Sequence, residues 1–281
     1  MSIRFLCDST CDLTPQQAAE AGITIVPLKV LFGEEEYYDR VDMQPEEFFS
    51  RLTTARELPK TSQPSPEAFL PSFREAKQAG DDLICILLAG ALSGTCQSAL
   101  IAKDIVEYDR IHIIDSGQAS LGVQLLLSRA LALLEQGETA ERIAEILERE
   151  KKQVCIYLMV DTLLYLQKGG RLSMTGMVAG NALNLRPVLA VREGKVHVAG
   201  LARGMKGTWE KVMKLLEKDG GMDKERGYLL GYTGKRECLD GFERFASDRL
   251  SAPCTHTVAV GCVIGVHVGP GANAVAVFLK E

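Results

Sequence analysis

The sequence predicts an α/β protein. Its N-terminal part is expected to carry a mainly parallel sheet flanked by helices, and its C-terminal part an α+β arrangement with a mixed or antiparallel sheet. Three observations predict this. Short apolar runs alternate with helical patterns through residue 152, the mark of strands joined by crossover helices. Beyond that point hairpin signals mix with helices, and glycines crowd the stretch from Gly169 to Gly180. The chain has 281 residues, 46% of them apolar, which suffices for a large core. At about 100–200 residues per domain, two domains are expected, with residues 1–152 forming one and 153–281 the other.

Each element follows from local pattern. Ile3–Cys7 is short, apolar and stopped by Asp8, so it reads as a buried strand. Thr14-Pro15 supplies an N-cap and a proline at the first helical position, and Gly22 closes that helix. Ile23–Phe32 reads as one strand, Glu34–Glu36 as a solvated loop and Pro45–Leu52 as a short helix. Thr53–Pro66 is polar and proline-rich and reads as a loop. Pro66–Ala79 is a helix ended by Gly80, with Ser65 placed to cap it. Leu83–Leu88 is a strand, Thr95–Glu107 a helix and Ile111–Ile114 a strand. Amphipathic helices cover Gln118–Gln136 and Ala140–Lys152. In the second part, Cys155–Val160 is a strand, and Pro187–Arg192 with Lys195–Leu201 flank the hairpin turn Glu193-Gly194. Helices over Lys206–Lys218 and Arg236–Leu250 alternate with strands at Gly227–Tyr232, Thr255–Val260 and Ala274–Leu279.

Composition excludes several functions. Lys plus Arg is 32 and Asp plus Glu is 37, giving 32 − 37 = −5. Such a chain lacks the basic footprint of a nucleic-acid binder. The longest apolar run, Leu83 to Leu92, is too short for a membrane span of about 20 residues. No signal-like segment precedes Asp8, so a cytoplasmic protein is expected. The eight cysteines show no C-x-x-C pair and read as reduced, mostly buried thiols. The four histidines lack H-x-x-x-H and H-E-x-x-H spacing, so neither a metal nor a cofactor is expected.

The chemistry concentrates at strand ends. Three strands of the first part run into small hydroxyl residues: Asp8-Ser9-Thr10, Ser93-Gly94-Thr95 and Asp115-Ser116. Ligands of open α/β sheets bind beyond the carboxyl ends of the strands. Ser93-Gly94-Thr95 also opens a helix, whose free N–H groups and dipole favour an anion. Capping by Ser93 and Thr95 is the equally weighted alternative. Thr61 and Ser62, pinned among prolines, sit on a long polar loop of the functional kind. A serine esterase or acyl transferase using Ser93 and His267 is a minority reading. The run Gly90–Gly94 misses the G-x-S-x-G elbow by one place, and no acid is marked as partner to His267. No phosphate-cradling G-x-x-x-x-G-K-[ST] or dinucleotide G-x-G-x-x-G is present.

Five motifs in order along the chain resemble the DegV family: Asp8-Ser9-Thr10-Cys11-Asp12-Leu13, Thr61-Ser62-Gln63-Pro64-Ser65, Leu92-Ser93-Gly94-Thr95-Cys96-Gln97-Ser98-Ala99, Lys168-Gly169-Gly170-Arg171-Leu172-Ser173 and His267-Val268-Gly269-Pro270-Gly271. The resemblance implies a non-enzymatic, bacterial lipid-binding protein holding one long-chain fatty acid such as palmitate between two domains. Its carboxylate would lie on hydroxyls and its acyl chain in an apolar tunnel of the second domain. Some members serve as binding subunits of a fatty acid kinase, so an ATP-dependent kinase subunit is an expected partner. Peripheral membrane contact for ligand exchange is a further expectation. Carried over by motif, the ligand-binding residues are Thr61, Ser62, Ser93, Gly94, Thr95, Arg171 and His267, with Gly94 and Thr95 contributing through backbone. Arg203 is the candidate for the kinase-subunit contact. Cys96 stands where the family often carries Tyr, which removes a phenol hydroxyl from the pocket edge.

Overall fold

A computed structural model describes residues 2–173 and 185–280. Gly176 and Gly180 of the glycine-rich stretch lie outside the described residues. In chain order the first part contains β1 (Ile3–Asp8), α1 (Pro15–Glu20), β2 (Ile23–Val26), β3 (Lys29–Phe32), β4 (Glu35–Tyr38), α2 (Pro45–Thr54) and β5 (Lys60–Ser62). It continues with α3 (Leu70–Ala79), β6 (Asp82–Leu87), α4 (Thr95–Val106), β7 (Ile111–Asp115), α5 (Leu121–Glu135) and α6 (Ala140–Glu150). The second part contains β8 (Val154–Met159), α7 (Leu164–Lys168), β9 (Leu185–Arg192), β10 (Lys195–Arg203) and α8 (Gly204–Lys218). Then come β11 (Tyr228–Tyr232), α9 (Asp240–Leu250), β12 (Cys254–Ala259), α10 (Cys262–Val268) and β13 (Asn273–Phe278).

The predicted fold class holds. The first sheet has four strands in the order β2-β1-β6-β7, all parallel. Its central strand β6 is buried along its whole length, as expected where helices cover both faces. The second sheet has six strands in the order β10-β9-β8-β13-β11-β12, antiparallel except for β11 beside β12. The β9–β10 hairpin turns at Glu193 and Gly194, both at positive φ, as a two-residue hairpin requires.

Three local expectations need correction. Ile23–Phe32 is two strands, because Pro27 has no N–H to continue the ladder. After that break β3 leaves the parallel sheet and forms a small antiparallel sheet in the order β4-β3-β5. The acidic run is therefore not a loop: Glu35 and Glu36 lie on β4, paired with Arg51 and Lys29. The proline-rich segment is not wholly irregular either, since Lys60–Ser62 pairs with β3. Two short helices, α7 and α10, lie outside the elements expected from the sequence.

Helix α5 packs between the two sheets, and one continuous core holds residues from both parts, including Ile84, Leu126, Ile156 and Ala276. A buried ionic cluster adds to this junction. Glu150 at the end of α6 accepts from Arg129 Nε at 2.9 Å and from Arg226 Nη1, across the junction, at 2.7 Å. Burial alone would raise the Glu150 carboxyl, but the two guanidinium groups more than offset it and hold it below 4.5. A lowered folded-state value means that this stabilisation is present above about pH 4.5 and lost as acid protonates the folded protein. Glu150→Gln is expected to cost about 1.5–3 kcal/mol at pH 7 and to flatten the fall in stability below pH 5. Urea titrations at pH 7 and pH 4 check this; an unchanged pH dependence would contradict it.

Candidate functional site

The seam between the two parts encloses a cavity of about 450 Å³. Its wall is mostly aliphatic: Leu28, Leu88 and Leu121 come from the first part, and Ile156, Leu158, Val191 and Ile264 are among those from the second. Polar side chains gather where β5, the β6–α4 loop, the segment after α7 and the end of α10 converge. Thr61 Oγ1 lies 3.0 Å from His267 Nε2. Arg171 reaches the same loops, donating from Nε to Leu92 O at 3.3 Å and from Nη1 to Gly169 O at 2.7 Å. Ser93 Oγ bonds Thr95 Oγ1 at 2.9 Å.

Of the residues expected from sequence, Thr61, Ser62, Ser93, Gly94, Arg171 and His267 all line the cavity. Thr95 does not; it is fully buried behind Ser93 and acts on it through their hydrogen bond. No side-chain capping bond is made at the start of α4, so the two hydroxyls serve each other rather than the helix. Gly94 allows close approach: a Cβ there would collide with the amide of Gln63, which lies over it and donates to Ser98 Oγ at 3.2 Å. Arg203 lies apart. It is exposed at the far end of β10, seven residues beyond the cavity-lining Val196. At about 3.3 Å per residue that places it roughly 23 Å along the strand.

The three hydroxyl-bearing strand ends divide their labour. Only Ser93-Gly94 meets the cavity. Asp8 is buried and accepts from Thr10 N at 2.9 Å and Leu88 N at 2.7 Å. Ser9 Oγ accepts from Leu28 N at 3.1 Å. The first motif thus fixes two wall residues, Leu28 and Leu88, instead of touching a ligand. Ser116 is likewise buried in its own turn.

His267 packs so closely on Gly169 that a Cβ there would collide with its ring. Burial, with a smaller push from Arg171, lowers its imidazole to about 4, so it is neutral at physiological pH. Its Nδ1 is buried and has no hydrogen-bond partner among the described residues. Ser93 and His267 therefore share a cavity but not a catalytic arrangement: each is bonded to a threonine, and among the described residues no carboxylate orients the imidazole. Cys96 is buried and bonds Leu88 O at 3.5 Å; burial pushes its thiol up to about 12, which is unreactive. Away from the cavity, Asp82, His112 and Glu141 offer ligand atoms within 4.8 Å of one another. Both oxygens of Asp82 already accept from Arg110, so this group forms an ion-pair rim.

Sequence reasoning missed three contributors. Gln63 lies inside the Thr61–Ser65 motif and lines the cavity, though the motif alone assigns it no role. Ser120 and Thr233 line the cavity, yet their hydroxyls are engaged elsewhere, with Asp12 and Ala272 N. No sequence signal marks Ser120; its place follows from the chain reversal into α5, where it takes φ 51°.

The sequence profile of the family described as "uncharacterised protein, DegV family" matches residues 2–280. A DegV domain-containing protein of Caldanaerobacter subterraneus is 33% identical over 279 residues, 99% of each chain. Among solved structures, a fatty-acid-binding DegV family protein of Thermus thermophilus superposes with a TM-score of 0.89 at 32% identity, covering 100% of both chains. A stearic-acid-binding protein of Eubacterium ventriosum gives 0.89 at 28% identity, covering 100% of this chain and 99% of its own.

The lowered His267 value has a measurable consequence. As pH falls, the unfolded chain takes up the proton near 6.5 while the folded chain resists until about 4. The corresponding stability is present above pH 6.5 and lost progressively towards pH 4. Titration of the imidazole by NMR is expected to show no protonation between pH 8 and pH 5; a midpoint near 6.5 would contradict the burial argument.

Proposed function

The chain belongs to the DegV family, and from that premise we propose that it binds one long-chain fatty acid in the seam cavity. The carboxylate lies at Thr61, Ser93 and His267, and the acyl chain runs along the aliphatic wall. The observation that carries this reading is the segregation of the cavity: apart from Ser120 and Thr233, its polar side chains cluster together, and the rest of the lining is apolar. A carboxylate only accepts hydrogen bonds, and hydroxyls can donate while also accepting. With His267 neutral and protonated on Nε2, the imidazole donates to Thr61 Oγ1 and frees the Thr61 hydroxyl for the ligand. Thr95 can do the same for Ser93. Ser62, Gly94 and the exposed Arg171 complete the rim, and Thr95 takes its part through Ser93 and the first turn of α4. Each methylene transferred to such a wall contributes about 0.8 kcal/mol, so the tail supplies most of the affinity and the rim sets the orientation.

In this reading, residues 1–152 form the domain that carries the carboxylate loops and 153–281 the domain that supplies most of the acyl tunnel. The protein acts in the cytoplasm as a lipid carrier. It presents the carboxylate to an ATP-dependent fatty acid kinase subunit for acyl phosphate formation, with Arg203 as a contact outside the cavity. No helix among the described residues is long and apolar enough to cross a membrane; a peripheral membrane contact for ligand exchange is part of the proposal. The serine-enzyme alternative has no observation in its favour, because Ser93 and His267 are each paired with another residue.

Native mass spectrometry followed by organic extraction is expected to release one long-chain fatty acid per chain. A protein that is empty and refuses added palmitate would sink the reading. Thr61→Ala and Ser93→Ala should each weaken palmitate binding by about 1.5–3 kcal/mol, one hydrogen bond to a charged group. Unchanged affinity in both would remove the head-group assignment while leaving the cavity.

A further inference from the structure

Helix α10 forms a wall of the cavity: Val263, Ile264, His267 and Val268 all line it. It spans only seven residues, too short to hold its own axis in water. Its N-terminus is buried, and the first two N–H groups are taken by side chains from the other part of the molecule. Gly261 N donates to Asp12 Oδ1 at 2.8 Å, and Cys262 N donates to Asp39 Oδ1 at 3.0 Å. Asp12 also accepts from Ser120 Oγ, and Arg40 stands 3.7 Å from it while donating to Ala259 O. Asp12, Arg40 and Ser120 have φ of 61°, 62° and 51°. Three non-glycine residues at positive φ therefore converge on one helix end. Burial also raises both carboxyl groups, Asp12 to about 7, with Arg40 offsetting only part.

We propose that Asp12 and Asp39 are positioning residues for the head-group site: they cap α10 across the seam and so set where His267 meets Thr61. Packing of Phe48 and Phe49 against Gly265 fixes the helix sideways. The two caps fix it along its axis, because an N–H to carboxylate bond at a helix N-terminus is directional and favoured by the dipole. His267 lies six residues from Gly261, about 9 Å along a rigid rise of 1.5 Å per residue, so a shift at the caps reaches its Nε2 undamped. This inference rests on the fatty-acid reading for its effect on affinity, but not for its effect on His267.

The test uses the full chain, stripped of lipid, with palmitate as probe. Asp12→Ala and Asp39→Ala are compared with wild type, with Asp12→Asn and with Asp81→Asn, which breaks a carboxylate site remote from the cavity. Melting temperature, palmitate affinity and the His267 imidazole NMR signal are measured for each. The two alanine variants are expected to bind palmitate at least tenfold more weakly and to move the His267 signal and its titration midpoint. Asp12→Asn, which keeps an acceptor for Gly261 N, is expected to restore both; Asp81→Asn should lower melting temperature alone. If Asp12→Ala does not fold, Asp39→Ala makes the same comparison. Alanine variants that lose only melting temperature would overturn the proposal. If wild type itself refuses palmitate, the fatty-acid reading fails, and the His267 signal alone then decides whether the caps position it.

Discussion

The arrangement depends on the burial of one helix between two sheets. Nine of the 15 residues of α5 are buried, and a helix that is apolar on nearly every side must be covered on nearly every side. The parallel sheet covers one flank and β8, β11 and β13 the other, through contacts such as Leu121, Leu125 and Leu126 with Ile156, Leu229 and Ala276. Each such leucine contributes about 1.5–3 kcal/mol when removed from water, so the two parts cannot separate along this face without a large loss. The seam is thereby fixed at the start of α5, where Ser120 and Leu121 reach the cavity.

With the seam fixed, its two chemistries follow from what the sheets deliver to it. Parallel strands all end on the same side, so β1 and β6 bring their carboxyl-end loops together there. Those loops carry hydroxyls and backbone N–H groups. The mixed sheet meets them with the inner faces of β8 and β9, which are aliphatic because alternate residues of a strand share a face. Polar rim and apolar wall are thus consequences of topology. The Asp8-Ser9-Thr10 turn serves both, since it holds the backbones of Leu88 and Leu28 while facing no ligand itself.

Much of this was legible in the sequence, for identifiable reasons. β6 is a nearly continuous apolar run with sharp ends, β7 is a short one broken only by His112, and the Glu193-Gly194 turn is a strong local signal. The fold class followed from such signals, and six of the seven residues named from motif order line the cavity. What escaped was decided by distant partners. β5 is only three residues long and becomes a strand because β3 lies beside it. α10 is short and apolar, and its caps, Asp12 and Asp39, lie more than 200 residues away along the chain. Thr95 could be placed near the site by spacing, but its burial depended on how Ser93 turned, which spacing does not encode.

The polar rim also explains why neutral groups suit this cavity. A carboxylate sealed against a buried lysine or arginine would form an ion pair whose breaking costs about 3–5 kcal/mol. Here the imidazole of His267 is kept uncharged by burial, and Arg171, the cation that lines the cavity among the described residues, is exposed and held by two carbonyl oxygens. On the proposed reading, hydroxyl donors contribute about 1.5–3 kcal/mol each to a charged acceptor, enough to orient it. The aliphatic wall then governs how long a ligand stays, and the rim governs which end faces out. On the proposed reading, a site divided in this way leaves no buried charge unpaired in the protein when the ligand is absent.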